Sequence, residues 1–302
     1  MPKTIFIDST ADIDRLWREV HGAGDPPITV NMAPVAEADI PTKIVGFDTV
    51  INDASYFTKD TLSKCTGLKH IVFLGTGAGS FVDLAAAETL GIKVSTIKGY
   101  GDTTVAEHAM GLVFAAGRHI ATMHAMLRAS ADNWRPLQGI ELKGKTLGLV
   151  GLGGIGREMA RIANGVGLNV MAYNRSPVAD APVPMVALDE VLARADILSL
   201  HLALNDQTRG FLDRAKLAKT KPGVIIVNTA RAAVVDEPAI EELLRSGRVG
   251  HYATDVFSKE PISPDDPLLK LDNVTLTAHA GYNTPEAAKT MYRRAIDLAA
   301  AG

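Results

Sequence analysis

The chain has 302 residues, 47% of them hydrophobic and 22% charged, with a formal net charge of −3. That length and balance fit two globular domains and exclude a disordered or collagen-like chain. A slightly acidic chain without a basic run is not built for nucleic acid or an anionic membrane surface. Cys65 is the sole cysteine and has no internal disulfide partner. The apolar run at the amino terminus is too short for a signal peptide, so a cytoplasmic protein is expected. The most apolar helix candidate, residues 109–117, is bounded by Glu107, His108 and Arg118. It falls short of the roughly 18 apolar residues that cross a bilayer, so no membrane segment is expected.

In chain order, strands are predicted at residues 4–7, 28–31, 43–47, 70–74 and 93–95, and with the helical stretches between them these make a small α/β unit. One long Ala/Met-rich helix is predicted over residues 103–129. Strands then recur near residues 146, 169, 185, 197, 224, 252 and 274. This alternation predicts a mostly parallel sheet covered on both faces, with ligands at the carboxyl ends of its strands. Thr284-Pro285-Glu286 reads as the N-cap, first position and first-turn acid of a final helix bearing Ala287, Ala288, Met291, Ala295, Ile296 and Leu298.

The segment Lys145-Thr-Leu-Gly-Leu-Val-Gly-Leu-Gly-Gly-Ile-Gly156 runs an apolar strand into a glycine-rich turn and out into a helix. Gly151 allows a tight turn, Gly153 lets main chain approach a pyrophosphate, and Gly156 lets helix and strand pack closely. The N–H groups of Gly154 and Ile155 open a helix whose positive dipole end faces phosphate. Glycine turns without a ligand are common, but here the next strand, residues 169–173, completes a βαβ unit. Where an acid usually meets the ribose hydroxyls, this chain has Asn174-Arg175-Ser176. Asn174 removes a charge that would repel a 2′-phosphate, Arg175 offers a planar fork for it, and Ser176 adds a hydroxyl. NADP(H) is therefore expected over NAD(H), the alternative being that Arg175 is a solvated loop arginine.

Three later strand ends carry chemistry: Arg231 after residues 224–228, Asp255 and Glu260 after residue 252, and His279 after residue 274. Reducing a carbonyl builds negative charge on its oxygen, so a protonated imidazole to supply a proton and a guanidinium to hold a neighbouring carboxylate suit that reaction. A carboxylate beside the imidazole fixes its tautomer and favours the charged form. Each residue alone has a plain structural reading, His279 as a satisfied strand-end histidine and Arg231 with Glu260 as an ion pair. The other histidines, His21, His70, His119, His124 and His251, fall in no metal-ligand spacing, and no metal is expected.

Gly75-Thr-Gly77, Val105-Ala-Glu-His108, the Leu142-Lys-Gly-Lys-Thr146 lead into the glycine turn, His201-Leu-Ala, Asn228-Thr-Ala-Arg231, Asp255-Val-Phe with Glu260-Pro261, and Thr277-Ala-His279 together resemble the D-isomer-specific 2-hydroxyacid dehydrogenase family, which includes glyoxylate/hydroxypyruvate reductases and phosphoglycerate dehydrogenases. The resemblance covers nearly the whole chain. It implies an α/β fold of two Rossmann-like, doubly wound parallel-sheet domains with a cleft between them: a flavodoxin-like substrate domain of residues 1–99 and 281–302, and an NAD(P)-binding domain of residues 100–280. It also implies that Arg231 binds the substrate carboxylate, that His279 donates and accepts the proton, and that Glu260 is its charge partner. Thr76 and Gly77 would hold the carboxylate. His201, Thr229, Ala230, Asp255 and Gly281 would serve the cofactor beside Gly151, Gly153, Gly154, Ile155 and Gly156. A small 2-keto or 2-hydroxy acid is the implied substrate, glyoxylate or hydroxypyruvate first, with an NAD-linked enzyme for a bulkier or phosphorylated acid as the alternative. Family members usually dimerise through the stretch matching residues 105–138, which implies a homodimer, although plain core would read the same.

This chain departs from the family pattern in places. Ala232, Ala203 and Ala278 replace Gly, Pro and Pro, and the loop over residues 75–83 is one residue longer than usual. Asp102 stands where a small hydroxyl residue is common near the cofactor phosphates. A nucleotide-sensing binding protein of the same fold is the reading from another class, and the formate dehydrogenase-like branch carries Gln where Glu260 stands.

Overall fold

A strand that is apolar at every position needs cover on both faces, because successive side chains of a strand point to opposite sides of the sheet. The computed structural model, which describes residues 2–302, meets that need twice. Residues 2–100 with 283–302 form one compact unit, and residues 101–282 form another.

The first unit runs β1 (Thr4–Phe6), α1 (Ala11–Val20), β2 (Ile28–Val30), α2 (Ile40–Lys43), β3 (Thr49–Asn52), α3 (Lys59–Lys64), β4 (His70–Phe73), α4 (Leu84–Thr89) and β5 (Lys93–Thr96). The second runs α5 (Asp102–Gly117), α6 (Ile120–Ala129), β6 (Thr146–Val150), α7 (Gly154–Val166), β7 (Asn169–Tyr173), α8 (Leu188–Arg194), β8 (Ile197–Leu200), α9 (Arg214–Lys219), β9 (Val224–Asn228), α10 (Glu237–Arg245), β10 (Val249–Thr254) and β11 (Val274–Leu276). The final helix, α11 (Pro285–Ala301), belongs to the first unit. Every strand pair is parallel, in the orders β2-β1-β3-β4-β5 and β11-β10-β9-β8-β6-β7.

In the first sheet Ile5, Val50 and Ile71 pack with Ile40, Leu62 and Ala87 on one face. On the other, Phe6, Ile51 and Val72 pack with Trp17 of α1 and with Met291, Tyr292, Ala295 and Ile296 of α11. The second sheet alternates in the same way, Leu147, Leu149, Ile225 and Val227 on one face and Val150, Ile226 and Leu200 on the other. Helix α11 starts as its sequence predicts, the Thr284 hydroxyl accepting from the Ala287 N–H at 3.3 Å with Pro285 in the first position.

Three predicted elements differ. The strand expected over residues 43–47 is the end of α2 and a turn through Gly46 at φ +85°, and the strand follows it at Thr49–Asn52. Ile44 is fully buried, so the apolar run there marks burial without extended backbone. The single helix expected over residues 103–129 is two, α5 and α6. Ile140 donates to the Gly117 carbonyl at 2.8 Å, the chain crossing there stops α5, and His119 turns the backbone with φ +52°. Around Met185 there is an isolated bridge to Ala172 in place of a strand.

Gly148 in β6 shows how tightly the second core is closed. A β-carbon there would stand 2.6 Å from Val191 Cγ1 and 2.9 Å from Ala195 Cβ, so α8 seats directly on the bare strand. Gly148→Ala should cost about 1–3 kcal/mol of unfolding free energy, measured by urea denaturation. A cost near zero would mean that α8 can move off the sheet freely.

Candidate active site

Three neighbouring strands at one side of the second sheet end in register, Thr254 of β10 lying opposite both Asn228 of β9 and Leu276 of β11. Arg231, Glu260 and His279 follow those three ends. Asn228, fully buried, fixes the first loop: its Oδ1 accepts the Ala230 N–H at 3.0 Å, and its Nδ2 donates to the Arg231 carbonyl and the Tyr252 hydroxyl, each at 3.1 Å. Arg231 is half-buried, donates to the Ala230 carbonyl at 2.7 Å, and forms no ion pair among the described residues.

Glu260 pairs with His279 instead. Its Oε2 lies 2.6 Å from His279 Nδ1, and its Oε1 accepts the Phe257 N–H at 2.9 Å, so the loop is folded back to present the carboxylate. Both side chains are 37% exposed, open enough to meet a small molecule. With Nδ1 committed to the carboxylate, Nε2 is the nitrogen left to exchange a proton.

His279 has a left-handed backbone with φ +50°, uncommon for a residue with a Cβ. Asp255 holds it there. The Asp255 carbonyl accepts the His279 N–H at 2.8 Å, and its carboxylate accepts the N–H groups of the next two residues, Ala280 at 2.9 Å and Gly281 at 2.8 Å. Thr277 Oγ1 donates to the same carboxylate at 2.6 Å, and His108 Nε2 of α5 stands 3.3 Å from it. Burial pushes the Asp255 carboxyl upward, yet the His108 and Thr277 side chains and the two main-chain donors outweigh it and hold it down at about 2.

The glycine turn after β6 has the shape a dinucleotide needs. Gly151 takes φ +100°, and a β-carbon on it would lie 2.4 Å from the His201 carbonyl oxygen; one on Gly156 would lie 2.3 Å from the Gly151 oxygen. At Gly153 nothing of the protein lies within 4 Å of that position, so glycine there leaves room for a ligand. Thr229 Oγ1 is buried without a hydrogen-bond partner, a second sign of room for a polar ligand. These features fit an NAD(P) cofactor.

The remaining expected positions are spread around that turn. Ile155 is half-buried in the first turn of α7. Asn174 accepts the Leu152 N–H at 3.2 Å and donates to the Ser176 carbonyl at 2.9 Å, tying β7 to the glycine turn. Arg175 is exposed, donates to Gln207, and meets no carboxylate among the described residues. His201, which burial pushes down to about 4, is neutral at pH 7, with Nε2 3.0 Å from Ser199 Oγ. Thr76, exposed, and Gly77, half-buried, lie in the first unit on the loop that follows β4. Among the described residues no cluster of three His, Cys, Asp or Glu is placed to hold a metal ion, and no helix is long and apolar enough to cross a membrane.

The model of the NAD-binding domain of D-isomer specific 2-hydroxyacid dehydrogenases matches residues 110–281. A hydroxypyruvate reductase of Thermotoga maritima is 42% identical over 79% of this chain and 78% of its own length. A D-3-phosphoglycerate dehydrogenase of Mycobacterium leprae is 38% identical over 94% of this chain, which spans 53% of that longer protein. The pyruvate reductase of Chlamydomonas reinhardtii superposes with a TM-score of 0.86 at 26% identity, over 99% of this chain and 96% of that one. The chain belongs to the D-isomer-specific 2-hydroxyacid dehydrogenase family. It is an oxidoreductase of that NAD(P)-dependent type, and hydride-transfer reduction of a 2-keto acid to a 2-hydroxy acid is the family chemistry.

His108 and Thr277 were in no candidate set, although both lie inside motifs that carry the family resemblance. Both contact the Asp255 carboxylate, and the signal for them is a strand-end acid too buried to stay ionised without donors.

Because the folded pKa of Asp255 lies below its unfolded value, the group contributes stability that is complete above the ordinary carboxylate range and lost as pH falls through about 2. Asp255→Asn should therefore lower the unfolding free energy by about 2 kcal/mol at pH 6. Chemical denaturation should show this gap closing toward pH 2; an equal gap at both pH values would mean that the charge is not what stabilises the fold.

Proposed function

We propose that this chain interconverts a 2-keto acid and its D-2-hydroxy acid, with His279 moving the proton, Glu260 orienting it and Arg231 binding the substrate carboxylate. The observation that carries this reading is the 2.6 Å contact between Glu260 and His279, on the strand end beside the one that bears Arg231. A bound reduced nicotinamide supplies the hydride. As the substrate carbonyl is reduced, its oxygen gains negative charge, which a proton from His279 Nε2 neutralises. Glu260 on Nδ1 keeps the ring in one tautomer and one orientation through that transfer. Arg231, unpaired with any protein carboxylate among the described residues, gives its planar fork to the substrate's.

The substrate class in this reading is a three-carbon 2-keto acid with oxygen on C3. The likeness to the phosphoglycerate dehydrogenase runs over 94% of the chain against 79% for the hydroxypyruvate reductase, which supports the phosphorylated acid over glyoxylate or hydroxypyruvate. For the cofactor, the exposed guanidinium of Arg175 and the neutral Asn174 support NADP(H) over NAD(H). A homodimer is part of the same reading, supported by the exposed Phe114, Ile120, Leu127 and Trp134 along residues 105–138.

His279→Ala should lower kcat by roughly 10²- to 10⁴-fold while NADPH binding, read by fluorescence titration, stays nearly unchanged. A variant that keeps most of its turnover would show that another group donates the proton. Side-by-side kcat/KM for glyoxylate, hydroxypyruvate and its 3-phosphate identifies the substrate, and a strong preference for glyoxylate would overturn the three-carbon class. Arg175→Asp should shift the NADPH to NADH ratio of kcat/KM by about tenfold or more toward NADH; an unchanged ratio would leave Arg175 as a solvated loop residue.

A further inference from the structure

Gly154 is the first residue of α7, and a β-carbon on it would stand 1.8 Å from Oδ2 of Asp102, 2.4 Å from its Cγ and 2.9 Å from its Oδ1. Asp102 is itself the first residue of α5, half-buried, in the same unit. Its carboxylate thus lies directly against the first turn of α7, with both oxygens close to bare glycine. We infer that Asp102 is a built-in anion that competes with the cofactor's pyrophosphate for the amino terminus of α7, and that it sets how tightly this protein binds any dinucleotide.

The start of a helix has N–H groups without intrahelical acceptors and the positive end of the dipole, and it attracts whichever anion is nearest. In a glycine-rich βαβ turn that anion is the pyrophosphate. Here a side chain of the protein is already beside it. A pyrophosphate arriving there must push the carboxylate away or bear its repulsion, and either lowers affinity. The contact also gives Gly154 a reason to be glycine that differs from its neighbours' reasons. Gly153 is bare toward open space, whereas Gly154 is bare because Asp102 occupies the volume of its side chain. The inference rests on the NAD(P)-binding turn and is independent of whether NADP or NAD is preferred and of the substrate.

ADP is a suitable probe, since it carries the pyrophosphate without a 2′-phosphate or a nicotinamide, and adenosine is its uncharged control. Asn and Ser both keep a residue that tolerates a helix start. By isothermal titration calorimetry at low salt, Asp102→Asn and Asp102→Ser should each tighten ADP by roughly tenfold, the repulsion of one charge at close range, and leave adenosine affinity unchanged. Unchanged or weaker ADP binding would overturn the inference, as would an equal gain for ADP and adenosine. A second measurement reads the contact without ligand. Gly154→Ala should lower Tm in the wild-type background and lower it much less in Asp102→Ser, where the β-carbon finds the space vacated. Additive effects of the two substitutions would show that the carboxylate does not rest on Gly154. Failure of the NADP reading would appear only in the Arg175→Asp comparison and would leave these results untouched.

Discussion

A carboxylate that is both buried and ionised must be given donors, and Asp255, only 3% exposed at its side chain, takes its donors from the segment that carries His279. Thr277, Ala280 and Gly281 all turn toward it, and the main chain between them has nowhere to go but through the left-handed conformation at His279. Backbone strain of order 1–3 kcal/mol at one residue is thereby held by a set of charge-assisted hydrogen bonds that outweighs it. The imidazole is aimed as a consequence of solvating a different residue. His108 extends the same arrangement to α5, with Nε2 3.0 Å from Thr277 Oγ1, so one buried charge ties β10, the segment after β11 and a helix to each other.

The convergence of Arg231, Glu260 and His279 is a property of the parallel sheet before it is a property of those residues. Parallel strands release all their carboxyl ends at one edge, and β9, β10 and β11 are neighbours in register there. Arg231 and His279 each come three residues after their strand ends, and Glu260 six after its own. The longer reach is folded back on itself by the Phe257 N–H, which binds one carboxylate oxygen and leaves the other for the imidazole. Local hydrogen bonds to main chain therefore decide which acid faces the histidine, and Asp255, nearer in sequence to its strand end, faces inward.

What the amino-acid order made legible was periodic or local. Buried strands, the βαβ turn, the Thr284 cap and the three strand-end residues all follow from patterns a few residues long. What it hid depends on contacts between distant segments. Residues 43–47 are apolar enough for a strand, but burial of Ile44 is achieved in a helix end, and only the sheet register places the strand at Thr49–Asn52. No glycine or proline directly follows residue 117 to signal the end of α5; the chain crossing at Gly139 and Ile140 marks it, where a β-carbon on Gly139 would stand 2.6 Å from the Gly117 oxygen. Asp255 reads in the sequence as a residue facing the cofactor, whereas the partners that determine its charge lie outside its own motif, Thr277, Ala280 and Gly281 past the next strand and His108 more than a hundred residues earlier in the chain.

The two charge changes around the glycine turn act on different quantities. At the end of β7 an acid is replaced by Asn174, whose amide still ties the strand to Leu152, with Arg175 beside it. At the start of α5 an acid is present, resting on Gly154. NADH and NADPH carry the same pyrophosphate, so repulsion by Asp102 weakens both equally and cancels in their ratio. They differ only at the 2′ position of the adenosine ribose, away from the pyrophosphate that Asp102 opposes. A carboxylate set against the pyrophosphate therefore loosens the whole dinucleotide whatever its ribose carries, and loose binding favours release of the spent cofactor.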